Sequence, residues 1–206
     1  MTQKSLPTTP VARLLEGSRV YLRPIHVEDT ELYYNTLFDQ DVRRMTGTQR
    51  SFTKDQIGRY IESKGQDTSS LLLIIALQED DRIIGDIALQ DMDSLNRSAN
   101  IRIAINEQEN QGKGYGTEAL VLMLDYGFGI CNLHRIELNV YDFNERAIRC
   151  YEKIGFQREG VQRDALFYNH QYHDSILMSM LSSEYRVRYV EKRTDSKRLQ
   201  RFNEKV

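Results

Sequence analysis

Gln111-Gly112-Lys113-Gly114-Tyr115-Gly116 sets three glycines at alternate positions between a strand-like segment, Ser98–Ile105, and a helix-length apolar stretch, Gly116–Ile130. Alternating glycines open backbone angles closed to other residues and remove the side chains that would bar close approach. The helix that follows leaves its first N–H groups without internal partners and carries the positive end of its dipole there. Strand, glycine turn and helix in that order form a cradle for a phosphate group, to which Lys113 adds a charge. The chain is thereby directed to α/β architectures that seat a phosphate-bearing ligand at one strand–helix junction.

Two common phosphate motifs do not fit. A P-loop requires Gly-Lys-Ser/Thr, and Lys113 is followed by Gly114; the dinucleotide fingerprint requires a third glycine where Thr117 stands. Downstream, Asn144, Ala147 and Tyr151 belong to an amphipathic helix predicted over Asn144–Ile154, with Gly155-Phe156 directly after it. Its inward face is Ala147, Ile148, Tyr151 and Ile154; Glu145, Arg146, Arg149, Glu152 and Lys153 point outward. Asn144 and Tyr151 are separated by about two turns and ~10 Å of rise, so both project from one face. Taken singly, Asn144 is an N-cap and Tyr151 a core aromatic. After a phosphate-type glycine turn the two together are a stronger signal of a ligand than either alone.

The remaining pattern supplies a sheet. Arg19–Ile25 alternates up to Pro24 and predicts a first strand; Glu28–Phe38 predicts a helix that turns Leu32, Tyr33 and Leu37 inward. Asp39–Ser51 reads as a loop or short helical turn. Thr53–Lys64 reads as a helix capped by Thr53, with Ile57, Tyr60 and Ile61 on one face. Leu71–Leu77, Arg82–Gln90 and Ser98–Ile105 follow as strands whose short polar connections favour an antiparallel meander. His134–Tyr141, Phe156–Val161 and Ser175–Leu181 are the later strands.

A chain of 206 residues fits one domain, expected over 18–183, after a loose polar leader at 1–17 and before a basic tail at 184–206. The tail carries eight Lys/Arg against four Asp/Glu, which leaves −6 on the rest of a chain of net charge −2. An acidic body suits a cationic small molecule and argues against a duplex-binding surface. Leu71–Leu77, the longest apolar run, is too short to span a membrane, and the leader lacks the apolar centre of a signal peptide. Cys131 and Cys150 cannot supply a disulfide framework and read as buried thiols, so a cytosolic location is expected. His170 and His173 sit at an odd offset on a strand, which sends them to opposite faces; no metal site is expected. The tail, with Tyr185, Tyr189, Leu199 and Phe202, reads as a frayed helix or a contact between copies, compatible with a homodimer or higher homo-oligomer.

From Arg82 to Leu181 the chain resembles GNAT acetyltransferases, in the subgroup of ribosomal-protein N-terminal and bacterial spermidine acetyltransferases. The resemblance is carried by RSANIRIAI, QGKGYGTEAL, DYGF, NLHRIEL, NVYDFNERAIRCYEKIGF and YHDSILMSML, and more loosely by VYLRPI. Gln111-x-x-Gly114-x-Gly116 matches that family's pyrophosphate motif for CoA. The resemblance implies an α/β fold with a mixed sheet of six to seven strands, helices on both faces, and a splayed central parallel pair, Ser98–Ile105 and His134–Tyr141. It implies that backbone near Ile103 and Ile105 pairs with pantetheine, and that Gln111, Gly112, Lys113, Gly114, Gly116, Thr117 and Asn144 hold the rest of CoA. Acetyl-CoA would be the co-substrate, and a primary amine would attack its thioester directly. Tyr151 would then be the acid that protonates the leaving thiolate. Asp39 and Asp41 would line the acceptor side.

One departure stands out. Relatives commonly carry Glu where Asn100 stands, as base directly or through water, and an amide takes no proton from an ammonium at neutral pH. Asp86 or His134 is then the base, or Asn100 orients a water, or turnover has been lost. The reading is an N-acetyltransferase acting on a primary amine, with a polyamine, a protein N-terminus or an antibiotic amine as acceptor. A non-catalytic acyl-CoA-binding module is the alternative from another class, and a nucleotide oxidoreductase a distant third.

Overall fold

The structure is a computed structural model that describes residues 12–192. Eight strands form one sheet in the order β1-β2-β3-β4-β5-β6-β8-β7. They are β1 (Leu15–Glu16), β2 (Val20–Pro24), β3 (Leu71–Leu77), β4 (Ile83–Asp93), β5 (Ser98–Ile105), β6 (Arg135–Tyr141), β7 (Gln157–Tyr168) and β8 (Gln171–Leu181). The helices are α1 (Thr30–Thr36), α2 (Gln40–Thr46), α3 (Lys54–Lys64), α4 (Tyr115–Gly129), α5 (Glu145–Ile154) and α6 (Ser182–Tyr185). Adjacent strands run antiparallel except β5 and β6, whose connection contains α4 and which run parallel.

The sheet separates two apolar layers. On one face, α4 buries Ala119, Leu120, Met123 and Leu124 against Ala99 and Ile101 of β5, Ile136 and Leu138 of β6, and Ile148 and Ile154 of α5. On the other, Tyr33 of α1 and Ile57 and Ile61 of α3 cover Leu72 and Ala88. β3, covered on both sides, is apolar at every position, as a central strand should be. Alternation along β5 and β6 then turns Asn100, Arg102, Glu137 and Asn139 to the face opposite α4.

Helix boundaries follow local chemistry. Thr53 opens α3 through a capping box, its hydroxyl accepting from Gln56 N at 3.2 Å while Gln56 Oε1 accepts from Thr53 N at 2.8 Å. Asn144 Oδ1 accepts from Ala147 N at 3.2 Å at the start of α5.

Several expectations are corrected. Among the described residues strands number eight, not six or seven: residues assigned to a loose leader include β1, and Arg13 anchors it through Gln78 at 2.7 Å and Asp81 at 2.9 Å. β7 and β8 extend beyond their predicted ends as a long hairpin, most of whose β7 positions face solvent and so show no apolar alternation. The helix expected over 28–38 begins as a 3₁₀ turn at Val27–Asp29, because Asp29 turns inward to Arg23; Leu32 lies at the surface while Tyr33 is buried. Asp39–Ser51 contains α2, capped by Asp39 Oδ1 on Val42 N at 2.8 Å and ended by Gly47 at φ +66°. Tyr60 lies at the edge of its layer rather than within it. The tail is neither frayed nor free up to residue 192: Tyr185 is buried and donates to Asp125 Oδ1 at 2.8 Å, and Tyr189 donates to Ile154 O at 2.9 Å. Leu199 and Phe202 lie outside the described residues.

Candidate functional site

Parallel pairing of β5 with β6 covers Ser98–Arg135, Ala99–Ile136 and Asn100–Glu137, and stops there. β5 continues to Ile105 and β6 to Tyr141 without pairing each other, while their outer edges stay fully paired to β4 and β8. The two strands therefore enclose a wedge with Asn100 and Glu137 at its apex. Its inner edges present backbone groups to any extended ligand that enters. Ile103 and Ile105, both half-buried, lie on the β5 side of that wedge.

The glycine turn lies at the wedge mouth. Gly112 and Gly114 hold φ of +76° and +86°, and Gly114 is the residue before α4. From Gly112 to Thr117 no backbone N–H has a partner among the described residues. A side chain at Gly112 would meet only open space, whereas a Cβ at Gly116 would come within 3.4 Å of Ile105 Cγ1, so the helix start lies close on β5. Six unpartnered amides at a helix N-terminus beside an exposed Lys113 are the chemistry an anion site needs. An open cleft of about 880 Å³ borders it, lined by Arg19, Gly112, Lys113, Gly114, Thr117 and Lys153 among others.

Two braces hold the turn. Gln111 donates through Nε2 to Ile105 O at 3.2 Å, and its Oε1 accepts from Arg146 of α5. Its own N–H donates to Gln108 O at 3.1 Å, so Gln111 ties the turn to β5 and α5 and keeps one side-chain N–H without a partner among the described residues. Arg19 donates to Lys113 O at 2.8 Å and pairs with Glu118 at 2.9 Å.

α5 packs beside this turn, with Thr117 Oγ1 and Cys150 Sγ 3.3 Å apart. Tyr151 is half-buried, edge-on to Phe156 at 5.9 Å. Its hydroxyl has no partner among the described residues, and burial, with a smaller contribution from Cys150, pushes its pKa well above the usual phenol range. Asn144 engages Oδ1 in its cap and leaves its amide NH₂ without a partner among the described residues.

The base candidates are not brought together. Asp86 is 4% exposed and bound by Arg102 at 2.6 Å, while Arg102 also donates to the Tyr33 hydroxyl at 2.9 Å. Burial works against the Arg102 charge, but Asp86 and Tyr33 raise its pKa above the ordinary guanidinium value. His134 is exposed at the closed end of the wedge, 3.4 Å from Ser182 Oγ. Of Asp86, His134 and Asn100, only Asn100 lies at the apex. Beyond the wedge mouth, α2 packs across both β5 and β6; Gly47 comes so close to Tyr141 that a Cβ would approach its ring within 2.6 Å. Asp41 accepts from Gln108 at 2.9 Å, and Asp39 is occupied as the α2 cap.

Arg19 and Glu137 enter the site without having been singled out in the sequence. Arg19 looks like the start of a strand, and Glu137 is recognisable only once the parallel register sets it beside Asn100. Among the described residues no group of three His, Cys, Asp or Glu is placed to hold a metal ion, and no helix is long and apolar enough to cross a membrane.

Comparison with known proteins agrees with this layout. The family profile of the acetyltransferase (GNAT) domain matches residues 19–157. The SPbeta prophage-derived uncharacterized N-acetyltransferase YokL of Bacillus subtilis is 27% identical over 84% of this chain and 96% of its own. The spermidine N(1)-acetyltransferase of Escherichia coli is 39% identical over 101 residues, 49% of this chain and 54% of that one. Among solved structures, the spermidine N-acetyltransferase of Vibrio cholerae in complex with CoA and spermine superposes with a TM-score of 0.77 at 28% identity, covering 82% of this chain and 99% of that one. With the profile spanning β2 to β6, the glycine turn and α5, this chain belongs to the GNAT acetyltransferase family.

Proposed function

We propose that the protein transfers the acetyl group of acetyl-CoA to a primary amine of a polyamine, in the cytosol. The observation that carries this reading is the wedge between β5 and β6 opening onto six unpartnered amides, Gly112 to Thr117. An extended chain ending in a pyrophosphate has the shape of that pair of features. The amides and Lys113 hold the pyrophosphate. The free edge of β5 at Ile103 and Ile105 receives the pantetheine amides, and the unpartnered Asn144 NH₂ donates beside them.

Acetyl-CoA supplies an activated acyl carbon and a thiolate leaving group. The chain fixes the acyl group at the wedge apex, keeps Tyr151 protonated, and aligns the acceptor nitrogen. A phenol whose pKa lies above that of a thiol is a donor only in concert with C–S cleavage, as negative charge develops on sulfur. Asp86, neutralised by Arg102 and away from the apex, orders β4 and β5 rather than taking a proton.

The polyamine assignment draws on the acidic balance of the chain outside its tail and on the named activities of its relatives. Free thiol release from acetyl-CoA, measured over spermidine, spermine, amino acids, aminoglycosides and N-terminal peptides, tests it. Saturable turnover with polyamines supports the proposal. Turnover confined to peptides or aminoglycosides moves the acceptor, and CoA binding with no transfer to any amine removes the catalytic reading.

A further inference from the structure

The acceptor amine arrives as an ammonium and must lose a proton before it attacks, yet the residue at the apex of the wedge on β5 is an amide. Resting on the acetyl-transfer reading above, we infer that Glu137, beside Asn100 in the last parallel pair, is the carboxylate that takes this proton.

Register places the two residues one strand apart, roughly 4.8 Å between backbones, on the same face. Glu137 is half-buried, and Arg135 holds one of its oxygens, Oε2, at 2.9 Å. The other oxygen has no partner among the described residues. Arg135 is itself gripped by Glu159 and donates to Ser179 Oγ at 3.0 Å, so its orientation is fixed from β7 and β8. Burden for neutralising Arg135 falls on Glu159, whose carboxyl Arg135 and Ser179 hold down at about 2. Two carboxylates around one guanidinium leave a net negative charge at the apex, which attracts an ammonium.

Other charges on this face are already matched. Arg102 on β5 faces Asp86, and no ionisable side chain of β8 stands opposite Glu137, where the register partner is Ser179. On α2, Arg43 donates to Leu37 and Arg50 carbonyls, Arg44 lies over the Phe143 ring, and Asp41 accepts from Gln108. The proton balance closes. One proton passes from the ammonium to Glu137 and on to solvent. The second leaves nitrogen as the C–N bond forms and replaces the proton that Tyr151 gives to sulfur as the C–S bond breaks.

The test compares the parent with Glu137→Gln and Glu137→Asp, with spermidine and acetyl-CoA as substrates, and CoA affinity measured by calorimetry on each. Loss of a general base predicts roughly 100-fold lower kcat/KM near neutral pH in Glu137→Gln, with CoA affinity unchanged. The deficit should shrink as pH rises toward about 10, where the amine deprotonates by itself. Glu137→Asp, which keeps Arg135 paired, should retain intermediate activity with the parent's pH profile. Adding Asn100→Glu to Glu137→Gln should recover activity, because the carboxylate then returns one strand away. Parent-like rates and pH profiles in both single variants overturn the assignment of Glu137 alone. A parent that binds CoA and acetylates no amine overturns the transfer reading, and this assignment with it.

Discussion

Arg19 reaches from the first hairpin to the glycine turn and donates a 2.8 Å hydrogen bond to the carbonyl of Lys113. The same guanidinium pairs with Glu118 one turn into α4, and that carboxylate also accepts from Arg19 N at 2.9 Å and Ser18 Oγ at 3.1 Å. Both ends of the cradle are thus tied to residues far away in sequence. With the Lys113 carbonyl held by Arg19, the turn is braced before a ligand arrives, and preorganised donors bind an anion more tightly than donors that must be ordered first.

Arg19→Ala should therefore weaken CoA binding without touching the reacting groups. Loss of one charge-assisted hydrogen bond and its positioning is worth about 1–2 kcal/mol, or roughly five- to thirtyfold in Kd. Calorimetric titration with CoA measures this directly. Parent-like affinity would mean that the turn holds its shape without the hairpin.

Gly114→Val combines two effects that Gly112→Ala separates. Both positions have positive φ, at a strain cost of roughly 1–3 kcal/mol for a residue with Cβ. At Gly114, however, the new Cβ would stand 3.1 Å from the Arg19 guanidinium, whereas nothing lies within 4 Å at Gly112. Gly114→Val should lose CoA affinity by tenfold or more, about 1.4 kcal/mol. Gly112→Ala should lose less at similar thermal stability. Equal losses would assign the effect to strain alone.

Tyr151→Phe removes a hydroxyl that has no protein partner among the described residues, so folding and CoA affinity should stay near the parent's. Turnover should fall roughly 100-fold, the ordinary scale for a lost general acid. An unchanged kcat would relieve Tyr151 of that role.

Periodicity and turn chemistry disclosed most elements of this fold before any coordinates. β3 and β5 match their predicted limits, since a continuous apolar run and an alternation from Ser98 to Ile103 leave little choice of boundary. Gly114 and Asn144 were legible for the same reason: a helix start has few ways of being encoded. What stayed hidden depends on distant pairing. Arg19 meets Glu118 across 99 residues, and Asn100 meets Glu137 only through the parallel register. β7 is hidden for a different reason, because a strand exposed on most sides has no buried face to impose a period of two. Asp86 drew attention as a carboxylate near the right strand, and sequence offers no way to see that Arg102 already holds it.

Arg23 and Asp29 form a bidentate pair at 2.8 and 2.7 Å, almost closed to solvent, with His26 N donating to the same carboxylate at 2.8 Å. Burial tends to raise the Asp29 pKa, but these hydrogen bonds outweigh it and hold the carboxyl below its ordinary value. A folded-state pKa depressed below the unfolded one contributes stability above about pH 4, and that contribution disappears as pH falls through the folded value. Asp29→Asn should be less stable than the parent at pH 7 and lose less stability between neutral and acid pH. Urea unfolding from pH 7 down to pH 3 measures both; parallel curves would remove Asp29 as a source of acid sensitivity.

Asp86→Asn separates a structural carboxylate from a catalytic one. The side chain is 4% exposed and its bond to Arg102 also orients Arg102 toward Tyr33, so three elements meet in one ion-paired group. Substituting the carboxylate leaves the Arg102 charge with a neutral acceptor. Breaking a buried pair costs up to about 3–5 kcal/mol, and the retained amide oxygen should bring this to about 2–3 kcal/mol. For a chain of this size that is a fall in Tm of roughly 5–10 °C. If Asp86 orders the sheet, the variant below its melting point keeps the parent's pH–rate profile, with kcat reduced severalfold at most. If Asp86 takes the proton, kcat falls about 100-fold and the neutral-pH limb of the profile disappears, whatever happens to Tm. Placement of Asp86 on β4 opposite Ala104, with its carboxylate closed over by Arg102, leads to the first outcome.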